Sequence, residues 1–217
     1  KSKVFANPQF LTLKVKDAIV DNIRRKTRRR PDIDKENPIY SLFVFVVRDK
    51  VQIYLNSSGV SLSKRGYRDK VHKASLNEAL AAGLVLLSGW KPNQPLYDPM
   101  CGSGTIPIEA AMIGRNIPGG YYRKEYGFQK WKDYNPRIWN AMVKEARENI
   151  LTDKLHIYGS DNVGANIDLA SKNIRKILMK QWIKISKKEF CEFAPTEEGG
   201  MIIMNPPYGQ RLSEEEQ

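Results

Sequence analysis

The sequence predicts an α/β protein: a doubly wound, parallel sheet preceded by a smaller α+β unit. Three observations carry that expectation. From about residue 75 onward, short apolar runs alternate with amphipathic helical patterns, as parallel strands joined by crossover helices require. One strand pattern runs into a glycine-bearing turn, "DPMCGSGT" (98–105), that opens a helix. The first third instead reads as one helix and one hairpin, and it carries almost all of the net charge.

In chain order, residues 10–30 place Leu11, Val15, Ala18, Ile19 and Ile23 on one helical stripe. Arg24, Arg25, Lys26, Arg28, Arg29 and Arg30 occupy the other face and the end, and Pro31 stops the helix. The β-branched and aromatic runs 40–48 and 50–58, split at Asp49-Lys50, form a hairpin. A basic linker, 59–68, is punctuated by Gly59 and Gly66. Helix, hairpin and linker make too small a core for a free-standing domain and read as the second half of one. Residues 75–88 form a helix with Ser75 as N-cap and Glu78 at the capping-box position. Residues 115–135, rich in Gly, Tyr, Trp and Lys, are irregular. The aromatics between 121 and 139 are expected to pack this insert rather than form a lid. A helix at 136–150, a strand ending at Asp161 and a helix over 164–180 follow. Ile167, Ala170, Ile174, Ile177 and Leu178 face inward on that last helix. "IKISKKEF" is expected as a third strand and "GGMIIMNPPYG" as a fourth, buried one.

Composition narrows the function classes. Of 217 residues, 41% are hydrophobic and 28% charged, ordinary for a globular protein with a sizeable core. No apolar run approaches the roughly 18 residues needed to cross a bilayer, and the charges among the apolar residues of the first 20 argue against a signal peptide there. Cys101 and Cys191 are too few for a disulfide framework; both are expected as small buried hydrophobes in a reducing cytoplasm. No membrane partner and no metal are expected, and oligomeric state is not legible. Residues 1–75 hold 18 Lys and Arg against 7 Asp and Glu, whereas residues 76–217 hold 18 against 17. That asymmetry reads either as a solvated basic surface or as a polyanion footprint, nucleic acid above all. Lys1 and the tail "SEEEQ" do not read as natural domain edges, so the expectation is a piece of a longer protein.

Three constellations carry chemistry. In "DPMCGSGT" the strand ends at Tyr97-Asp98, and Gly102 and Gly104 turn the backbone into a helix N-terminus. No Lys follows the last glycine, so a phosphate-gripping GK[ST] is absent. Asp98 suits a cationic or amine-bearing ligand such as S-adenosylmethionine; the plainer alternative is a tight turn with no ligand. Asp161, at the tip of the next strand, is either an N-cap for the helix after it or a carboxylate for both hydroxyls of a ribose, and the glycine turn upstream favours ribose. Glu189, with Phe190 beside it, is a candidate for the adenine amino group. In "IIMNPPYG" (202–209) a strand runs into two prolines. The amino group of a nucleobase is a poor nucleophile because its lone pair is delocalised into the ring. Two acceptors on its N–H groups, the Asn205 side-chain oxygen and the Pro206 carbonyl, pull the nitrogen towards tetrahedral. Pro206-Pro207 fixes where that carbonyl points. Tyr208 offers a stacking face worth roughly 1–3 kcal/mol.

"DPMCGSGT" together with "NPPYG" resembles the amino-methyltransferases of the class I, Rossmann-like type. "RRPDIDKENP", "SGVSLSKRGYR" and "IPGGYYR" further resemble the THUMP-containing bacterial enzymes that methylate guanine N2 in 23S ribosomal RNA. The resemblance implies that residues 1–65 are the C-terminal half of a THUMP RNA-binding domain with its linker. Residues 66–217 would be the first four strands of a seven-stranded methyltransferase sheet. It implies S-adenosylmethionine as cofactor, held by Asp98, Pro99, Cys101, Gly102, Ser103, Gly104, Thr105, Asp161, Glu189 and Asn205. It implies Asn205, Pro206, Pro207 and Tyr208 as the catalytic corner, with large-subunit ribosomal RNA as partner. Glu189 stands where that family usually has Asp. Arg65, Tyr67 and Arg68 match the family's linker and are expected at RNA or at a domain interface. Two other functions use parts of the same pattern: DNA adenine-N6 methylation, and RNA binding by a vestigial methyltransferase fold.

Overall fold

A computed structural model describes residues 7–47, 50–68 and 75–207. They divide into two compact units: residues 1–60 with 125–135, and residues 61–124 with 136–217.

In the first unit, helix α1 (Pro8–Thr27) begins where Asn7 Oδ1 accepts from the N–H groups of Gln9 (2.9 Å) and Phe10 (3.3 Å), with proline in the first turn. It ends ahead of Pro31, at Thr27. Arg28 takes the left-handed conformation (φ 59°) and its N–H closes on Arg24 O. Leu11 and Val20 are the buried residues of this helix, while Ala18 and Ile23 of the expected stripe are exposed. Val15 and Ile19 of that stripe are half-buried, so the covered line keeps Leu11, Val15 and Ile19 and adds Val20. Strands β1 (Ser41–Val47) and β2 (Lys50–Asn56) pair antiparallel from Ser41 opposite Asn56 to Val47 opposite Lys50. The turn residue Asp49 lies outside the described residues. The 125–135 insert packs here through its aromatics. Trp131 stacks on Tyr40 at 5.9 Å and donates from Nε1 to Ile39 O, and Phe128 N–H bonds Ser57 O.

The second unit is a four-stranded parallel sheet in the order β5-β4-β3-β6, with β3 (Leu96–Asp98), β4 (Ile157–Asp161), β5 (Ile183–Lys187) and β6 (Met201–Ile202). Register runs Leu96 beside Ile157 and Met201, and Asp98 beside Gly159. Around the sheet pack α2 (Glu78–Leu87), α3 (Thr105–Gly114), α4 (Pro136–Glu148) and α5 (Gly164–Lys176). Leu96, Ile108, Met112, Ile157 and Met179 are sealed from solvent. Each such side chain contributes about 1.5–3 kcal/mol relative to exposure. Helix α3 is apolar on nearly every side and is almost wholly buried; α4 buries no residue.

Several local expectations give way to packing. The N-cap of α2 is Asn77, whose Oδ1 accepts from Ala79 and Leu80 N–H, and not Ser75. Glu78 is therefore freed from a capping box and turns inward to pair with Arg68. Leu178 is exposed rather than inward: the chain reverses there at φ 59°, and Met179 takes the buried place. Cys191 is exposed, unlike Cys101. The fourth strand is not buried, because β6 lies at the edge of the sheet and Ile202 and Met204 face solvent. The linker residues are tied into the second unit. Tyr67 is fully buried and donates to Glu109 Oε1 (3.1 Å), and Arg65 pairs with Glu109 Oε2 (3.4 Å). Burial pushes the Glu109 carboxyl up, opposed by Arg65. Gly66 permits this path: at φ 98°, a Cβ there would fall 2.3 Å from Tyr122 O.

Candidate functional site

All four strands point their C-terminal ends towards one rim, and the motifs meet there. Asp98, the last residue of β3, is buried (2% exposed), and its Oδ1 accepts from Met100 N–H at 3.3 Å. Burial pushes its carboxyl up to about 7; the Met100 bond opposes the shift and the nearby Asp161 charge adds to it. A carboxylate in that state is a proton-poised acceptor, and among the described residues no cation pairs with it, the property an amine-bearing ligand would satisfy.

The glycine turn is tied to β4. Cys101 N–H donates to Ser160 O (2.9 Å), Gly102 N–H to Asp161 Oδ2 (2.9 Å), and Asn173 Nδ2 to Ser103 O (3.1 Å). Gly104 closes the turn onto Cys101 O with φ 79°. A Cβ there would meet Ala170 Cβ at 3.1 Å, so bareness lets the turn lie against α5. Asp161 also accepts on Oδ1 from Val163 N–H (2.9 Å) and Asn166 Nδ2 (3.0 Å). Its carboxylate thus joins the start of α5 to the glycine turn. Three of its roughly four acceptor positions are taken. Cys101 sits beneath the turn against Gly159, and burial pushes its thiol far above the titrating range, so it is an apolar wall and no nucleophile.

A cavity of about 460 Å³ opens at this rim, within the roughly 300–1,000 Å³ typical of small-molecule sites. Of the residues singled out in the sequence, Asp98, Pro99, Cys101, Gly102, Ser103 and Thr105 form one wall. Asp161 and Glu189 form a second, Asn205 and Pro207 a third. Gly104 stands behind the wall and Pro206 off it, while Tyr208 lies outside the described residues. Glu189 is exposed and accepts from Asn162 Nδ2 at 3.4 Å, with Phe190 beside it on the same wall. Asn205 reaches the rim because Met201 N–H bonds Pro95 O and Ile203 N–H bonds Tyr97 O, which march the last strand alongside β3.

Sequence reasoning missed Ser75, Asn162 and Asn166 on these walls. Asn162 and Asn166 had a signal, being within five residues of Asp161. Ser75 had none, since it read as a helix cap. The arrangement gives a groove with an acidic corner, a hydroxyl-lined corner (Ser75, Ser103, Thr105) and a carboxamide at the mouth.

Fold and site together define a Rossmann-like α/β methyltransferase unit. Residues 65–217 match the RMKL-like methyltransferase domain and residues 1–56 match the THUMP domain. The chain belongs to the RMKL-like methyltransferase family, carrying THUMP sequence ahead of it. Solved structures agree. A possible methylase from Clostridium difficile 630 is 40% identical over 93% of this chain and 53% of its own, with a TM-score of 0.82. The SMU.472 protein complexed with SAH is 34% identical over 90% and 52%, with a TM-score of 0.81. A predicted N6-adenine-specific DNA methylase from Listeria monocytogenes is 37% identical over 93% and 53%, with a TM-score of 0.83. The chain spans about half the length of these structures. Among the described residues, no helix is long and apolar enough to cross a membrane.

Proposed function

We propose that the rim cavity holds S-adenosylmethionine and that the chain serves a cytoplasmic enzyme methylating the exocyclic N2 of a guanine in 23S ribosomal RNA. The observation that carries this reading is that Asp98, the glycine turn and Asn205 line one cavity. The chemistry of the donor set suits the cofactor. Asp98 offers a buried acceptor to an α-amino group, and Asp161 keeps one acceptor position for a ribose hydroxyl. Glu189 and Phe190 offer an acceptor and a ring face to adenine. When bound, the cofactor supplies an electrophilic methyl group on a cationic sulfur.

The chain's own contribution is positioning. Asn205 Oδ1 and the Pro206 carbonyl accept the two N–H bonds of the target amine, which localises its lone pair, and Tyr208 supports the base by stacking. The positive charge would pass from the sulfur to the methylated nitrogen, which is then strongly acidic and would release its extra proton to water, so no strong base is needed and orientation carries most of the rate. A guanine in folded RNA has to leave its stack to reach the corner. The basic residues before position 75 and the THUMP match support RNA as the polyanion. On this proposal the division of labour falls at residue 65.

The test is Asn205→Ala in the whole enzyme. Methyl incorporation into ribosomal RNA is expected to vanish, while S-adenosylhomocysteine affinity stays within a few-fold by calorimetry. Wild-type incorporation by that variant removes the role given to the amide. The Listeria structure's description favours one second reading, DNA adenine-N6 methylation. Tritiated cofactor offered with ribosomal RNA and with duplex DNA separates the two by which polymer takes the label.

A further inference from the structure

The hydroxyl-lined corner of the cavity is backed by a buried guanidinium that the methyl-transfer reading does not use. Arg68 leaves only 4% of its side chain exposed. Its Nη1 donates to Leu76 O (3.1 Å) and faces Glu78 Oε1 (3.5 Å). Its Nη2 donates to Ser103 Oγ (3.3 Å) and closely to Thr105 Oγ1. One side chain thus joins the linker, the entry to α2 and the glycine turn. Glu78, 6% exposed, is its counter-charge and lines no part of the cavity.

The direction of these bonds has a chemical consequence. A guanidinium only donates, so Ser103 and Thr105 accept from it with their lone pairs. Their own hydroxyl protons then point elsewhere. Ser103 Oγ stands 3.4 Å from Thr105 Oγ1 and 3.5 Å from Ser75 Oγ. Those two contacts absorb at most two of the three protons, so at least one is left over among the described residues. All three residues line the cavity. The corner therefore presents hydroxyl donors over a buried cation, in the same cavity as the acceptor Asp98. Hydroxyl donors and an acceptor carboxylate lining one cavity are the complement of an amino-acid zwitterion.

We propose that Arg68 is a positioning residue: by occupying the lone pairs of Ser103 and Thr105 it aims their hydroxyl protons at the carboxylate of the ligand's amino-acid moiety. The proposal rests on the cofactor reading above and adds the part of the ligand that this corner reads. Lysine in place of Arg68 keeps the charge beside Glu78 but cannot fork to Leu76 O and both hydroxyls at once.

The experiment compares two probes on the same chain by calorimetry. S-adenosylhomocysteine carries the amino acid; 5′-methylthioadenosine lacks it. With Arg68→Lys, S-adenosylhomocysteine affinity is expected to fall tenfold or more, while methylthioadenosine affinity stays within twofold. Glu78→Gln, which leaves Arg68 in place but removes its counter-charge, is expected to give the same selective loss at smaller size. It also serves if Arg68→Lys fails to fold. Arg115→Lys perturbs a part-buried arginine on Trp182 away from the cavity and is expected to lower the melting midpoint without changing either affinity. If Arg68→Lys and Glu78→Gln weaken both probes equally, or neither, the positioning role is overturned while the cofactor reading stands. A wild-type chain that binds neither probe overturns the cofactor reading and this inference with it.

Discussion

Asp98 is where a single side chain states the chemistry most directly. Its ordinary value of 3.8 is pushed up to about 7, chiefly by burial. An ammonium group pairs with the carboxylate and not with the neutral acid. Affinity for S-adenosylhomocysteine is therefore expected to rise with pH through about 7 and then level off, and Asp98→Asn should flatten that profile. The sign for stability runs the other way. Because the folded state holds the proton more tightly, ligand-free stability falls as pH rises from about 4 to 7, and the penalty persists above 7. Asp98→Asn should thus raise the melting midpoint of the ligand-free chain at pH 8 while weakening the ligand at least tenfold, about 1.4 kcal/mol. A variant that melts lower and binds as before would refute both halves. The sequence showed Asp98 at a strand end but not its state, since burial comes from α3 and β4, not from its neighbours.

Elements, next, are decided at their ends. The sequence placed the cap of α2 at Ser75, and the chain uses Asn77 instead. Replacing Asn77 by Ala is expected to cost about 0.5–2 kcal/mol in chemical denaturation. Ser75→Ala should leave stability near wild type, because its hydroxyl faces Ser103 Oγ beside it in the cavity corner and not the helix. Equal losses at the two positions would contradict this. The end of α5 shows the same logic: Leu178 fitted the apolar stripe, yet the reversal at φ 59° sends Met179 inward in its place. Periodicity extends a helix until something stops it, and here no glycine or proline announced the stop. The glycine turn was the opposite case, since Gly102 and Gly104 told in advance where β3 had to bend.

For the whole molecule, the uneven charge is the property with a measurable consequence. Arg24, Arg25 and Lys26 occupy the last turn of α1, with Arg29 and Arg30 just beyond, all exposed. If they bind phosphates, replacing Arg24, Arg25 and Arg29 by Gln should weaken RNA binding and flatten its salt dependence. The logarithmic slope should drop by roughly 0.7 for each phosphate that is no longer neutralised on single-stranded RNA. An unchanged slope would make the cluster a solvated surface that also suits the helix dipole. The insert at 125–135 belongs to the same scale. The aromatics between 121 and 139 read as packing, and the folded chain divides them: Trp131 stacks on Tyr40 in the first unit, whereas Tyr122 donates to Ile177 O in the second.

By itself the sequence determined the order of strands and helices, the turn after Asp98, the corner at Asn205 and the charge of the first third. Each of these is a local matter of periodicity, glycine and proline geometry, or composition. Tertiary structure alone decided that three motifs spread over more than 100 residues share one cavity, because parallel strands carry their ends to a single rim however long the crossovers are. It alone decided that Arg68 lies under that cavity rather than on a surface. A basic residue in a basic linker carries no mark of burial; only the carboxylate of Glu78 and the hydroxyls of the turn, brought from elsewhere in the chain, make the site that takes it in.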